Sequence, residues 1–337
     1  MIPVLDYQNS INLIKNNDLI PDIYKGDIII ADFRGLPLEN EFQRLFNFFQ
    51  QSIYKHYTYG IEPGLFFYNS KITLNAFAAK WKDSFIISFN IGTILFFDQK
   101  FKGQTDILNV NGLEDYIEAE KKSDYPLNEL MYQLCNNYIF YHELGHLIQN
   151  SDGLVEMLHE YIRVKTTFDI QDHIIEFDAD LFSSICLGAH LYQYIEKWCP
   201  QATDKEAEKI ISAATASIFL LIISLGSAKN ELYYKEGSHP HPFIRIIGIL
   251  YVISDYIELL SKRKKQRKLN KYNMIKQLLF VAEKISDKIL YGETVTNFKK
   301  VFEGNFEDIT AYCTKLQYLV AGYSDSAYNR RNERVKK

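Results

Sequence analysis

A chain of 337 residues fits one large domain or two smaller ones, and with 47% hydrophobic and 15% aromatic residues it can bury a sizeable core. Its formal charge of -4 gives no global pull towards nucleic acid, so no nucleic-acid partner is expected. The four cysteines, Cys135, Cys186, Cys199 and Cys313, have no C-x-x-C spacing, which speaks against a disulfide framework or cysteine metal knuckle and for a reducing, cytoplasmic compartment.

In chain order, residues 1–38 read as irregular or mixed, and 1–18 lack the basic patch and apolar run of a secretory signal. The short apolar run at 27–32, between charges, predicts a buried strand. Residues 39–57 carry Phe42, Leu45, Phe46 and Phe49 at helical spacing, with Pro37 near their start. A turn at 60–64 is followed by predicted strands at 65–68, 73–79 and 85–89, while 92–97 fits either a strand or a helix. The segment 103–125 is polar, with a turn at 109–112. Pro126 then opens a helix over 127–149. Gly145 inside that helix costs about 1 kcal/mol relative to Ala, which points to close approach of a neighbouring backbone. Residues 150–170 form a link, and further helices are predicted at about 171–190, 203–228, 242–264 and 271–289.

Two stretches bear on partners. Residues 210–228 are uncharged for 19 residues, which meets the length criterion for a membrane span. Their first half is Ser, Ala and Thr, and only 218–223 is strongly apolar, so a buried core helix is expected and membrane association is not favoured. The basic run 262–268 reads as a solvated helix end and linker with a favourable dipole contact. The basic tail 330–337 is expected to be disordered.

The chemistry centres on Tyr141-His142-Glu143-Leu144-Gly145-His146-Leu147, which contains the pattern H-E-x-x-H. On a helix, His142 and His146 project from one face and both imidazoles reach one metal ion, with Glu143 beside them as a base for water. Catalytic zinc keeps three protein ligands and one open position. Thirty residues after His146 comes Glu176-Phe177-Asp178-Ala179-Asp180. Glu176 is the expected third ligand, with Asp178 the next candidate, and Asp180 shares its face, placed to accept a hydrogen bond from the free ring nitrogen of a ligand histidine. The other reading of this segment is an acidic, solvated first turn that includes Asp172. Leu181, Phe182, Ile185 and Leu187 follow directly, however, so part of it is buried, and buried acids need partners.

These two segments together resemble the gluzincin metallopeptidases, and more narrowly the HtpX and CAAX-prenyl-protease family, which pairs H-E-L-G-H with E-x-E-A-D. Two further blocks are similar to the same family: Leu74-Asn75-Ala76-Phe77-Ala78, like its N-A-F-A edge strand, and Ser238-His239-Pro240-His241-Pro242-Phe243-Ile244-Arg245, like its T-H-P-x-x-x-x-R segment. The blocks span roughly residues 65–250. A second similarity, to the Lit-type phage-exclusion peptidases, rests on size and the H-E-x-x-H motif. The resemblance implies an α+β, mainly helical, zincin-like fold with a small N-terminal sheet packed on the H-E-x-x-H helix. It implies a metallopeptidase domain over 1–264 and a C-terminal helical extension over 265–337. It also implies substrate pairing along Asn75, Ala76 and Phe77, His239 as a transition-state donor, and Arg245 orienting the site or anchoring its carboxylates; His241 has no counterpart. HtpX-like relatives carry membrane spans between their zinc motifs, but residues 147–175 here are charged and admit none.

The function expected is a zinc-dependent endopeptidase with one zinc per chain, held by His142, His146 and Glu176, acting on a protein or peptide substrate through Glu143. The alternatives are a non-catalytic zinc-binding regulatory or toxin-associated domain, against which the intact Glu143 argues, and a membrane-embedded HtpX-like protease with 210–228 as a span in an inner membrane.

Overall fold

The computed structural model describes residues 6–16, 20, 28–81, 83–149, 168–225, 232–290 and 298–336. Residues 150–167 of the link expected over 150–170, and the end of the apolar run, 226–228, lie outside them. The chain is α+β and mainly helical, with one small sheet near the N-terminus.

The sheet contains β1 (Gly64–Asn69), β2 (Ala76–Trp81) and β3 (Ser84–Asn90) in the order β1-β3-β2. The central β3 runs parallel to β1, with Leu65 opposite Ile86, and antiparallel to β2, with Ala78 opposite Ile87. Both β1 and β3 are buried at every position, as their near-continuous apolar runs require. Helices α1 (Tyr7–Asn16) and α2 (Glu39–Lys55) pack on β1. The α2 residues Phe42, Phe46 and Phe49 form an aromatic cluster with Phe66, Tyr68 and Phe89. Phe49 also stacks on Phe140 at 4.5 Å, which ties α2 to α5 (Leu127–Gln149). Helix α5 in turn packs on β2 and β3, so the edge strand β2 lies over the helix that carries the H-E-x-x-H pattern.

After α3 (Ile91–Phe97) and α4 (Glu114–Glu120), the remaining helices build the core around α5. Helix α6 (Ile170–Trp198) lies between α5 and α8 (Pro242–Lys264), and α7 (Asp204–Leu225) packs on α4, α5 and α8. The apolar window of α7 is 83% buried by these neighbours and by α9 (Lys271–Leu290). Helices α10 (Phe298–Gly304), α11 (Phe306–Ala321) and α12 (Ala327–Lys336) follow, α11 packing on α6 and α8 and α12 on α5 and α6.

The structure corrects several local expectations. Within 28–32 there is only an isolated bridge, Ile30 to Asn69, flanked by the bonds Ala31 N–H to Tyr68 O (2.7 Å) and Ser70 N–H to Ile29 O (2.8 Å). The second strand starts at Ala76 instead of 73, because the Asn75 carbonyl accepts from the Asn90 amide and the Thr93 hydroxyl. Residues 91–97 are helical, and α1 and α4 occupy segments expected to be irregular or polar loop. In the basic run, Arg267 turns inward and donates to Glu196 and to the carbonyls of Ala202 and Cys199, so this part of the run is a staple and not a solvated end. The tail expected to be disordered is α12. Its order comes from acceptors elsewhere in the fold: Arg330 donates to the Ile148 carbonyl (2.7 Å), and Arg334 donates to the Thr58 carbonyl (2.9 Å) and lies 3.8 Å over the Tyr59 ring.

Candidate metal centre

Helix α5 carries His142 and His146 one turn apart, and α6 brings Glu176 and Asp180 up against them. The two helices meet at Gly145, where a Cβ would stand 3.1 Å from Ala179 Cα and 3.3 Å from Ala179 Cβ. The close approach expected of Gly145 is therefore to α6, and it sets the spacing of the donors.

His142 Nε2 lies 3.1 Å from His146 Nε2 and 3.3 Å from Glu176 Oε2, and His146 Nε2 lies 3.5 Å from Glu176 Oε1. All three residues are buried. A metal about 2.0–2.1 Å from each donor in tetrahedral geometry needs donor separations of roughly 3.3 Å, which the three observed distances straddle.

The far sides of the rings show how they are held. His142 Nδ1 lies 2.9 Å from Asp180 Oδ1, an acceptor. His146 Nδ1 faces Gln149 Oε1 at 3.1 Å. The Gln149 amide is fixed in orientation, since its Nε2 donates to the Ile175 carbonyl and to Asp178 Oδ2, both at 2.8 Å. These acceptors suit a proton on Nδ1 of each ring, which would leave both Nε2 lone pairs to face a metal ion together with the Glu176 carboxylate.

Without a metal, a proton takes its place. Against the burial that would raise it, His239, His146 and His142 hold the Glu176 carboxyl well below its ordinary value. Against burial that would lower it, Asp180 and Glu176 raise His142 to about 10, whereas burial, with His142 nearby, takes His146 down to about 4. Without a metal, the pair of rings thus shares one positive charge between two carboxylates.

Asp180 is fully buried, and its partners hold it. Arg245 donates from Nε to Oδ2 (2.7 Å) and from Nη2 to Oδ1 (2.8 Å), and the Tyr138 hydroxyl donates to Oδ1 at 2.5 Å. Despite the cost of burial, Arg245 keeps Asp180 far down the carboxylate range, while the Arg245 pKa is itself raised. Arg245 therefore sits on the carboxylate behind His142.

Glu143 is half-buried beside the cluster. Burial pushes its carboxyl up to about 7, against His142, Arg245 and the amide of Ala78 on β2, which donates to it. His239 stands at the rim, half exposed, with Nε2 3.3 Å from Glu176 Oε2, outside the compact group of three. Asn75 accepts the Ala76 amide on its own side chain (2.9 Å), Ala76 opens β2, and the Phe77 ring is buried against Phe67.

The other candidates are engaged elsewhere. Asp178 points away from the cluster to Gln149 and to the start of α12, which removes it as an alternative ligand. His173 bonds the Tyr312 hydroxyl at 3.1 Å, and His241 caps α8 by accepting the Phe243 amide at 3.2 Å. Two contributors were not foreseen, Tyr138 and Gln149. Their spacing was the available signal: Tyr138 lies one turn before His142 and Gln149 three residues after His146, on the same helical face as the ligands. No family model, curated protein or solved structure matches this chain.

Proposed function

We propose that the chain is a zinc-dependent endopeptidase that hydrolyses peptide bonds in a protein or peptide substrate, in a cytoplasmic setting and as an HtpX-like gluzincin without the membrane spans. The observation that carries this reading is Glu143. It is a carboxyl raised to about 7 beside three converging metal donors and under the edge strand β2. A metal held only for stability needs no such base.

Zinc, when bound by His142, His146 and Glu176, supplies the Lewis acid that acidifies water and polarises a carbonyl. Glu143 takes a proton from the attacking water and returns that proton to the leaving nitrogen. His239, at the rim, donates to the oxygen on which negative charge develops. Asp180, held by Arg245 and Tyr138, fixes the His142 ring. An extended substrate adds to β2 near Asn75, Ala76 and Phe77, where backbone pairing gives affinity.

The test is a comparison of new protein N-termini across a proteome expressing wild type or Glu143→Gln, with metal content measured in both. N-termini present with wild type and absent with the variant support the reading; identical sets with equal metal reject it.

A further inference from the structure

Behind His146 lies a relay that neither the ligand set nor the proposed mechanism uses. Gln149 accepts from His146 Nδ1 and donates to Asp178. Asp178, fully buried, receives three more donors from a segment about 150 residues later: the Ser326 hydroxyl on Oδ1 (2.5 Å), the Ala327 amide on Oδ2 (2.8 Å) and the Tyr328 amide on Oδ1 (3.2 Å). Its carboxylate thus takes up orphan amides at the start of α12. Burial raises the Asp178 pKa, opposed first by Ser326 and Gln149. One turn on, Arg330 donates to the Ile148 carbonyl, one residue from Gln149. The start of the C-terminal helix therefore holds Asp178 and the backbone beside Gln149.

The geometry points to Gln149 and Asp178 as positioning residues for the metal ligand His146, linking metal affinity to the docking of α12. An amide side chain can present either its oxygen or its nitrogen to an imidazole. If Gln149 offered Nε2 to His146 Nδ1, the ring proton would move to Nε2 and block the metal donor. Asp178, together with the Ile175 carbonyl, forbids that flip, because both accept from the NH2 end of Gln149. Asp178 in turn is held in place by Ser326, Ala327 and Tyr328. This rests on the metal reading of the site and not on peptidase activity.

The experiment is a chelator-competition titration with Zn2+ on the full chain, together with NMR detection of the His146 ring Nδ1–H. Wild type should show a protected, low-field ring N–H. Gln149→Leu should lose that resonance and raise the Zn2+ dissociation constant by about 10–100-fold, with helix content unchanged. Gln149→Glu alone sets two carboxylates side by side and should weaken binding. Adding Asp178→Asn to it removes the facing carboxylates and should recover part of the lost affinity, the Ile175 carbonyl and the Ala327 amide still lacking their partners; no recovery at all counts against the proposal. Should Gln149→Leu fail to fold, the isosteric Asp178→Asn carries the same expectation of weaker binding. Unchanged Zn2+ affinity in a folded Gln149→Leu, or an absent ring N–H in wild type, overturns the proposal and leaves the metal site standing. A wild-type chain that binds none of Zn2+, Co2+ or Mn2+ overturns both.

Discussion

Ala179 occupies the space that a side chain on Gly145 would need, its Cα 3.1 Å from the position of the missing Cβ. The glycine of H-E-L-G-H and the alanine of E-F-D-A-D are thus one contact, and it fixes how far Glu176 stands from the two histidines. Gly145→Ala gains about 1 kcal/mol of helix propensity but pushes α6 outward by a few tenths of an ångström. Its stability should stay near wild type while Zn2+ affinity falls. Gly145→Val, which cannot be accommodated by a small shift, should cost roughly 1–3 kcal/mol in urea denaturation. Affinity unaffected by either change would separate helix spacing from metal binding.

One zinc per chain is expected by elemental analysis. His142→Ala, His146→Ala and Glu176→Ala should each strip it, whereas Glu143→Gln should keep it. Asp180→Ala should weaken affinity by about 10–100-fold through the loosened His142 ring. It should also destabilise the fold by roughly 3–5 kcal/mol, because Arg245 would be left buried without its carboxylate. Tyr138→Phe removes one hydrogen bond from a carboxylate that keeps Arg245, so its cost should be nearer 1 kcal/mol. Full metal occupancy in Glu176→Ala would move the third ligand elsewhere.

Glu143 and His239 should separate in turnover on an identified substrate. Glu143→Gln removes the base and should bring proteolysis close to background. His239→Ala removes a rim donor, and loss of one such donor typically costs about 10²–10³ in turnover with little change in substrate binding. Wild-type turnover in Glu143→Gln ends the peptidase mechanism. Wild-type turnover in His239→Ala alone ends only the role given to the S-H-P-x-x-x-x-R segment.

Acid should destabilise the fold through histidines outside the centre. Burial lowers His56 and His190 from 6.5 to about 4, so both rings stay neutral in the folded chain while the unfolded chain takes up protons below pH 6.5. Their contribution is complete above pH 6.5 and is lost as the pH falls from 6.5 towards 4. Urea midpoints for His56→Asn and His190→Gln, measured from pH 7.5 to 4.5, should decline less steeply than wild type. Parallel curves would show that neither ring carries this dependence.

Much of the centre was legible because it is local. The i, i+4 spacing of His142 and His146 puts two rings on one face, and the acids of 176–180 had to find partners once Leu181 and Phe182 marked the segment as buried. The resemblance implied that Arg245 orients the site or anchors its carboxylates, and its guanidinium lies on Asp180. What could not be read were destinations far along the chain. Asp178 stood as the next candidate ligand, and nothing local shows that its partners are Ser326 and the amides after it. The basic tail has the composition of a disordered segment, yet Arg330 and Arg334 find carbonyls on α5 and near Thr58 that outweigh composition. The shifted start of β2 has the same cause, a loop held by Thr93 and Asn90 across the sheet.

The long reach of α12 also has a consequence in time. Ser326 and Asp178 are 148 residues apart in sequence, and Arg330 and Ile148 are 182 apart. Contacts of such separation close large loops and are late to form. A ribosome that has not reached residue 326 therefore holds a chain whose ligands are all synthesised and whose clasp is missing. Asp178, and Gln149 through it, therefore stands without these partners until residues 326–328 have been made, long after His142, His146 and Glu176.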